Sequence, residues 1–570
     1  MTSPLRRDRR RWVPVTAALL CFSVGLIDLV SAVTQSDRGR LRELRNYVPG
    51  GVSNASTALT LVTGVLLVLV ARGLRRRKRR AFRVAALLLA VSVALHVLKG
   101  LDVEEASVSG ALLVALVVLR SEFYAKGDPR TRWRAVGAFL FLLAASYGLG
   151  MALVGIRAET LATPYSFTRA SQHVFVGLLG FDGPLTFTAD RRGHRADELI
   201  GDALLALGLL TAVSTAYLVL RPAEPAARLS PDDEARMRAL LGRYGHQDSL
   251  GYFSLRRDKS VLWSASGKAC VAYRVVSGVM LASGDPLGDP EAWPGAIEAF
   301  LAEADAHAWT PAVMGCSEVA GTAWSRAGLA ALEIGDEAVV EVADFSLEGR
   351  AMRNVRQAVN RVERAGYTTR VCRVSEITSE EGGRLKAQAN AWRGADTERG
   401  FSMALGRFGD LQDQACALVM AFQGDNLRAF LHFVPWGDDG LSLDLMRRDR
   451  DADNGLNELL IVAALRASSG LGVKRLSLNF AVFRSALERG ERLGAGPVIR
   501  AWRGFLLFAS RWFQIDSLYR FNAKFRPDWE PRYVCYPAAR DLPRVALAAL
   551  EAEAFLVWPR LPWSRTDAPH

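Results

Sequence analysis

The sequence lacks any Cys-x-x-Cys pair. Its six cysteines, Cys21, Cys270, Cys316, Cys372, Cys416 and Cys535, are scattered over 570 residues with no histidine beside them at metal-ligand spacing. No metal is expected, and the thiols read as buried, reduced and cytosolic. A cleavage site is missing too. The cluster Arg6, Arg7, Arg9, Arg10 and Arg11 precedes the apolar run Val13–Val33, but that run is long for a signal peptide and no small-x-small site follows, so it reads as a retained first span. Beyond residue 220 long uncharged runs disappear, and apolar and charged residues alternate as in a water-soluble protein. At a prior of roughly 150 residues per domain, one compact domain is excluded.

What is present in the first 220 residues is a set of about six apolar runs of membrane length: Val13–Val33, Ala55–Val70, Ala81–Leu98, Val108–Leu119, Ala135–Val154 and Ala203–Leu220. The fourth is short for a straight crossing and must draw in Glu105–Ser107. Basic blocks at Arg75–Arg80 and from Arg120 to Arg134 fall on the side of the N-terminal cluster, whereas Gly100–Ala106 carries only acidic residues. Lys and Arg mark the cytosolic side, so both termini are expected there, although Arg38, Arg40, Arg42 and Arg45 break the pattern. Asp28 and His96 are ionisable residues within or at the ends of spans, read either as part of a substrate path or more plainly, with His96 near a helix end beside Lys99 and Asp28 pairing between helices. Val174–Phe181 is too short to cross; it suits a re-entrant, interfacial or ordered outer segment.

The net charge of +13 and pI near 9.7 suit a chain beside a polyanion, lipid headgroup or nucleic acid, with part of the excess due to topology alone. After the linker Arg221–Pro225, Pro231-Asp232-Asp233-Glu234 opens an amphipathic helix. A pattern then occurs twice: the hairpin Ala269–Val276 with Gly278–Ala282, a helix near Ala292–His307 and a strand near Pro311–Gly315; then the hairpin Arg428–Val434 with Leu441–Met446, a helix near Leu456–Ala467 and a strand at Val473–Leu478. This order is similar to that of acetyltransferases of the GNAT type. Their coenzyme A loop, Q/R-x-x-G-x-G, has its nearest approach in Glu491–Gly496, which begins with a carboxylate that would repel pyrophosphate. No cofactor is expected. Between the copies, a helix expected over Glu348–Ala365 buries Met352, Val355, Val359 and Val362 and leaves Arg350, Arg353, Arg356, Arg361 and Arg364 largely outside that stripe. Such a face is either simply solvated or a phosphate-binding surface for RNA.

Gly284-Asp285-Pro286, Arg353–Arg361 running to Gly366-Tyr367, Gly400-Phe401-Ser402-Met403, Asp444-Leu445-Met446-Arg447, Phe521–Phe525 and Trp529–Tyr533 together resemble, in order, the C-terminal domain of the phosphatidylglycerol lysyltransferases, the multiple peptide resistance factor family. Gln514–Arg520 is similar to actinobacterial variants that can be fused to a lysyl-tRNA synthetase. No synthetase domain lies within these residues, which leaves the amino acid open. The resemblance implies a multi-pass α-helical membrane bundle followed by an α/β domain with a tandem acetyltransferase-like (GNAT-type) fold. It implies transfer of an aminoacyl group, lysyl by the family's habit, from aminoacyl-tRNA to phosphatidylglycerol at the cytosolic face of the cell membrane, giving resistance to cationic antimicrobial peptides. The expected partners are aminoacyl-tRNA, phosphatidylglycerol and the bilayer, with homo-oligomerisation left open. Six spans are too few for an additional flippase bundle.

The expected domains are a bundle over 1–221, a linker and helix over 222–247, acetyltransferase-like units over 248–375 and 376–545, and a tail over 546–570. Asp444 is expected to hold the donor's α-amino group or orient the attacking hydroxyl, and Arg447 to grip a phosphate, unless the two merely pair. Lys524 would stabilise an oxyanion or bind phosphate, unless it snorkels at the membrane surface. Asn457 and Glu458 would line the site or cap their helix, and Arg353, Arg356, Arg361 and Arg364 would bind the RNA backbone. Two other readings fit the same residues: a tRNA-dependent ligase acting on a peptidoglycan precursor, and a non-enzymatic membrane sensor or transporter.

Overall fold

The computed structural model describes residues 12–33, 50–100, 103–125, 129–220, 227–394, 400–410, 412–482 and 515–556, with Pro225 and Glu398. The chain divides into two compact units, Met1–Glu224 with Asp305–Ala308, and Pro225–Ala304 with Trp309–His570. Glu491–Gly496, Gln514 and the linker Arg221–Glu224 lie outside the described residues.

The first unit contains α1 (Trp12–Val33), α2 (Gly50–Arg75), α3 (Arg79–Gly100), α4 (Val103–Val118), α5 (Pro129–Ile156), α6 (Phe167–Gly177) and α7 (Arg191–Leu220). Each of the six apolar runs coincides with one of α1–α5 and α7, the fourth starting at Val103 rather than Val108. Among the described residues three stretches are long and apolar enough to cross a membrane: Trp12–Val30, Val136–Ile156 and Arg191–Leu218. α1 and α2 cross at glycines. A Cβ on Gly25 would lie 2.8 Å from Gly64 O, and one on Gly64 would lie 2.8 Å from Gly25 O, so only glycine permits this backbone approach. Val174–Phe181 belongs to an ordered segment, half of it in α6, beside an antiparallel bridge between Leu161 and Phe187.

The second unit begins with α8 (Pro231–Tyr244), whose N-cap Ser230 accepts the Asp233 N–H at 3.1 Å. The strands are β1 (Ser260–Trp263), β2 (Ala269–Val276), β3 (Val279–Ser283), β4 (Leu287–Gly288), β5 (Thr310–Cys316), β6 (Ala330–Glu341), β7 (Tyr367–Arg373), β8 (Ala417–Gln423), β9 (Asn426–Trp436), β10 (Gly440–Arg448), β11 (Arg475–Val482) and β12 (Asp528–Tyr536). Interleaved helices are α9 (Trp293–His307), α10 (Glu318–Arg326), α11 (Arg353–Arg364), α12 (Ser379–Arg393), α13 (Leu456–Ala467), α14 (Ile515–Ala523) and α15 (Leu542–Ala552).

The two copies read from the sequence are there. β3 runs parallel to β5 after the β2–β3 hairpin and α9, and β10 runs parallel to β11 after the β9–β10 hairpin and α13. Their final strands are exchanged. β12 from the second copy pairs antiparallel with β5 of the first, β6 of the first pairs with β11 of the second, and β6 and β12 pair with each other. One sheet results, with the central order β3-β5-β12-β6-β11-β10.

α13 is apolar almost all round because it is covered on both sides, by the sheet and by α11, whose Val355, Val359 and Val362 are buried with Met352. The expected helix start at Glu348 is corrected to Arg353. Gly349 adopts φ +82°, which leaves the helical region, and Arg350 precedes the helix.

A buried ionic knot lies where the copies join. Arg532 of β12 donates to Asp248 Oδ1 at 2.7 Å, to Ser249 Oγ at 2.6 Å and to the Glu337 carboxylate of β6, which also accepts the Ser477 hydroxyl of β11. Asp285, in the bend that follows β3, is buried beside it. It accepts the Ser317 N–H at 2.7 Å and Oγ–H at 2.6 Å, anchoring the N-cap of α10. Burial and the neighbouring Asp248 push its carboxyl up to about 7. Breaking such a knot from one side would strand a charge in the interior.

Candidate active site

The two parallel pairs differ. β3 and β5 stay paired through five positions, Val279 with Thr310 to Ser283 with Met314. β10 and β11 pair only at Gly440 with Arg475, Leu441 with Leu476 and Ser442 with Ser477. Beyond that point β10 is irregular between Leu443 and Leu445 against β9, and β11 between Ser477 and Phe480 against β6. Asn479 takes φ +73°, and its side-chain amide donates to Leu443 O at 3.1 Å and Met403 O at 3.4 Å, spanning the gap. The second copy is therefore the one whose central strands splay, and backbone irregularities of this kind re-aim side chains next to sites.

Asp444 sits at the irregularity and turns inward. Its Oδ1 accepts the Leu405 N–H at 2.7 Å and its Oδ2 lies 2.7 Å from His432 Nδ1, with the carboxylate side chain 4% exposed. Burial opposes a charge on His432, but Cys416 and the Asp444 carboxylate outweigh it and raise the imidazole to about 10. Phe408 packs edge-on against the same ring. Arg447 turns elsewhere: its Nη2 donates to Glu398 Oε1 at 2.6 Å, and the other Glu398 oxygen takes Arg393 at 2.7 Å. Asp444 and Arg447 thus have separate partners.

Gly455, at φ +104°, precedes α13. Asn457 Oδ1 is buried without a hydrogen-bond partner among the described residues. Glu458 accepts Lys524 Nζ at 2.8 Å, and Lys524, 41% exposed, also lies over the Phe521 ring. Two residues placed separately in the sequence are thereby brought together. The α11 arginines divide. Arg356 binds Leu347 O and Gly349 O, and Arg361 donates to Asn454 O at 2.7 Å, which fastens α11 to the loop before α13. Arg353 and Arg364 are exposed, the latter donating to Asn360 O at 3.0 Å.

His432, Glu398 and Asn479 were not singled out in the sequence. His432 could have been, because a hairpin turning at Trp436–Gly440 sets residue 432 across from residue 444 before any irregularity. The motif Gly400–Met403 proves to be a buttress. Glu553 accepts the N–H groups of Phe401 at 2.6 Å and Ser402 at 3.0 Å, and Lys259 lies over the buried Phe401 ring. All six cysteines are buried and unpaired. Among the described residues no group of His, Cys, Asp or Glu converges to hold a metal.

A sheet of two copies with a splayed parallel pair in one of them defines a tandem acetyltransferase-like fold behind a helical membrane region. The family described as phosphatidylglycerol lysyltransferase, C-terminal, matches residues 238–536, and the chain belongs to it. Residues 9–217 match the transmembrane region of lysyl-tRNA synthetase, and with the apolar helices this makes the chain a membrane protein. It is 39% identical to the lysylphosphatidylglycerol biosynthesis bifunctional protein LysX of Mycobacterium sp. (strain JLS), over 100% of this chain and 53% of that protein. With the LysX protein of Mycolicibacterium gilvum (strain PYR-GCK) it shares 42% identity over 98% of this chain and 51% of the relative. The chain therefore spans about half the length of these relatives. The solved structure of L-PGS from Bacillus licheniformis superposes with a TM-score of 0.50 at 21% identity, over 59% of this chain and 99% of that one, a likeness of fold.

Proposed function

We propose that this chain transfers a lysyl group from lysyl-tRNA to a hydroxyl of phosphatidylglycerol, at a cytosolic site joined to a multi-pass membrane bundle. The observation that carries the reading is the splay between β10 and β11, with Asp444 at the irregularity of β10 beside it. Family membership and the relatives' names supply the substrates. An aminoacyl ester is already activated, so the protein must place the hydroxyl, assist loss of its proton and stabilise the oxyanion. No covalent nucleophile is needed.

Both Asp444 oxygens are occupied, so Asp444 acts as a positioning residue that fixes the charge and orientation of His432. Asn457 Oδ1, buried and unpartnered, accepts the donor's α-ammonium. Arg447, held by Glu398, offers its planar fork to a phosphate, and Lys524, held by Glu458, faces the developing oxyanion. Arg353 and Arg364 contact the tRNA backbone, while Arg356 and Arg361 shape the surface that presents them. A lysylated headgroup is less anionic, which lowers attraction for cationic peptides and gives the host cell resistance to them. The test is transfer from labelled lysyl-tRNA by the full chain in phosphatidylglycerol nanodiscs, with lipids read by mass spectrometry. Lysyl-phosphatidylglycerol is the expected product; its absence, with label on another acceptor, would overturn the reading.

A further inference from the structure

Asp28, a costly charge within an apolar run, is not isolated. Its Oδ1 lies 2.9 Å from His96 Nε2 on α3, and Ser92 Oγ of the same helix reaches both carboxylate oxygens at 3.3 and 3.2 Å. Ser109 Oγ on α4 is 3.3 Å from Ser92 Oγ. Asp28, Ser92, His96 and Ser109 are all buried. The second ring nitrogen of His96, Nδ1, makes no hydrogen bond among the described residues, yet Glu105 Oε2 of α4 stands 2.9 Å away, off the line that an N–H would need. Glu105 is 31% exposed whereas His96 is fully buried. The three groups form a row from the surface of the first unit to its interior.

The surrounding elements add little charge. α2 has no titratable residue before Arg72 and lays Gly64 against Asp28. α1 adds Cys21, directed at Leu67 O, and α4 adds Glu104, which is exposed. α3 carries Lys99 three residues after His96. A clamp between helices needs only the serine–aspartate bonds. It does not need a buried imidazole with its free nitrogen beside a second carboxylate, and ionisable groups in a membrane region are retained mainly where charge or protons move.

We infer that Glu105, His96 and Asp28 form a proton relay, and that the bundle binds a proton at Asp28 loaded through Glu105. The ligand is a proton. When Glu105 is protonated, a small rotation of the imidazole aligns the contact; the Glu105 O–H bond breaks as Nδ1–H forms, and Nε2–H breaks as the Asp28 O–H forms. The imidazole is neutral before and after, and one proton has moved from the exposed carboxyl to the buried one. Loading discharges Asp28 and weakens the charged contact that ties α1 to α3. This relay is independent of the transfer site.

The experiment is a rapid drop from about pH 8 to about pH 4, a window that spans the ordinary ranges of imidazole and carboxyl groups, applied to the full chain in nanodiscs and followed by infrared difference spectroscopy. A protonated-carboxyl band is expected in the unaltered chain and is lost in Asp28→Asn. In Glu105→Gln and in His96→Gln the same band should appear on the order of a hundredfold more slowly, the size of a lost general acid–base step. Asp285, whose carboxyl is pushed up to about 7 by burial, gives the same background throughout. Absence of any Asp28 band overturns the inference, as does a band that forms at undiminished speed in both relay variants. Should Asp28→Asn fail to fold, Glu105→Gln keeps both buried partners and carries the kinetic test, with the band assigned by heavy-carbon labelling of aspartate side chains.

Discussion

Asp444→Asn is expected to weaken the charge on His432 rather than to open a cavity. The imidazole stands at about 10 against an ordinary 6.5, a difference that corresponds to roughly 5 kcal/mol between its two protonation states. Burial works against that charge, and Cys416 shares in supporting it, so Asp444 supplies only part. In the variant the amide oxygen still accepts the Leu405 N–H, but the amide N–H can meet Nδ1 only if the ring is neutral there. What is lost is one charge-assisted hydrogen bond between buried partners, about 1.5–3 kcal/mol. Three measurements on one preparation decide the matter: histidine titration by NMR, unfolding in denaturant, and lysyl transfer. The expected result is a His432 whose pKa falls from about 10 toward its ordinary value, a folded protein with that loss of stability, and severely reduced transfer. A variant whose His432 still titrates near 10, or which transfers normally, would refute the reasoning.

Arg447→Lys keeps the charge and loses the fork; transfer should fall sharply while stability changes by no more than about 1 kcal/mol, since the Glu398 pair is partly exposed, and parallel losses in both assays would make the residue structural only. Arg532→Met should cost about 3–5 kcal/mol by stranding Glu337 and Asp248, a loss read from the denaturation midpoint; a change within experimental error would mean that the knot is solvated. Because the folded His432 value is raised, its stabilisation is complete below about pH 6.5 and is lost as pH rises through about 10. Denaturation across that window should show the slope, and Asp444→Asn should flatten it. Replacing Arg353 and Arg364 together by Ala should weaken tRNA binding and reduce its salt dependence by about one to two phosphate contacts; an unchanged slope in a titration with salt would remove α11 from the interface.

Local pattern carried much of the fold. The bounds of α13 follow from Leu456–Ala467 being flanked by Gly455 and Ser468, and the turn glycines Gly437 and Gly440 announce the β9–β10 hairpin. The start of α11 was missed because Met352 continues the apolar stripe although the backbone at Gly349 has already left the helix. The exchange of β6 and β12 had no local signature, since both strands look alike whichever neighbour they take. In the site, chemistry-bearing residues were legible but their partners were not. Glu458 meets Lys524 and Arg447 meets Glu398 through tertiary contacts that spacing does not encode, whereas Asp444 opposite His432 was open to a count across the hairpin turn. The Gly-Asp-Pro context of Asp285 fits the bend it occupies, while its burial beside Asp248 and Arg532 is supplied from elsewhere in the chain.

The exchanged strands also order events in time. β5 pairs with β3 early but acquires its second neighbour only when Tyr533–Cys535 arrives, so a chain emerging from the ribosome holds the first copy with an open sheet edge until almost all of the second has been made. Pairings this distant in sequence fold slowly, and an uncovered edge is a template for the wrong partner. The helices of the first unit are synthesised long before, so a nascent chain can be inserted in the bilayer while its sheet is still unfinished. A chain cut anywhere before β12 loses more than its last strand: it leaves β5 and β6 without the strand between them, and the first copy fails along with the second.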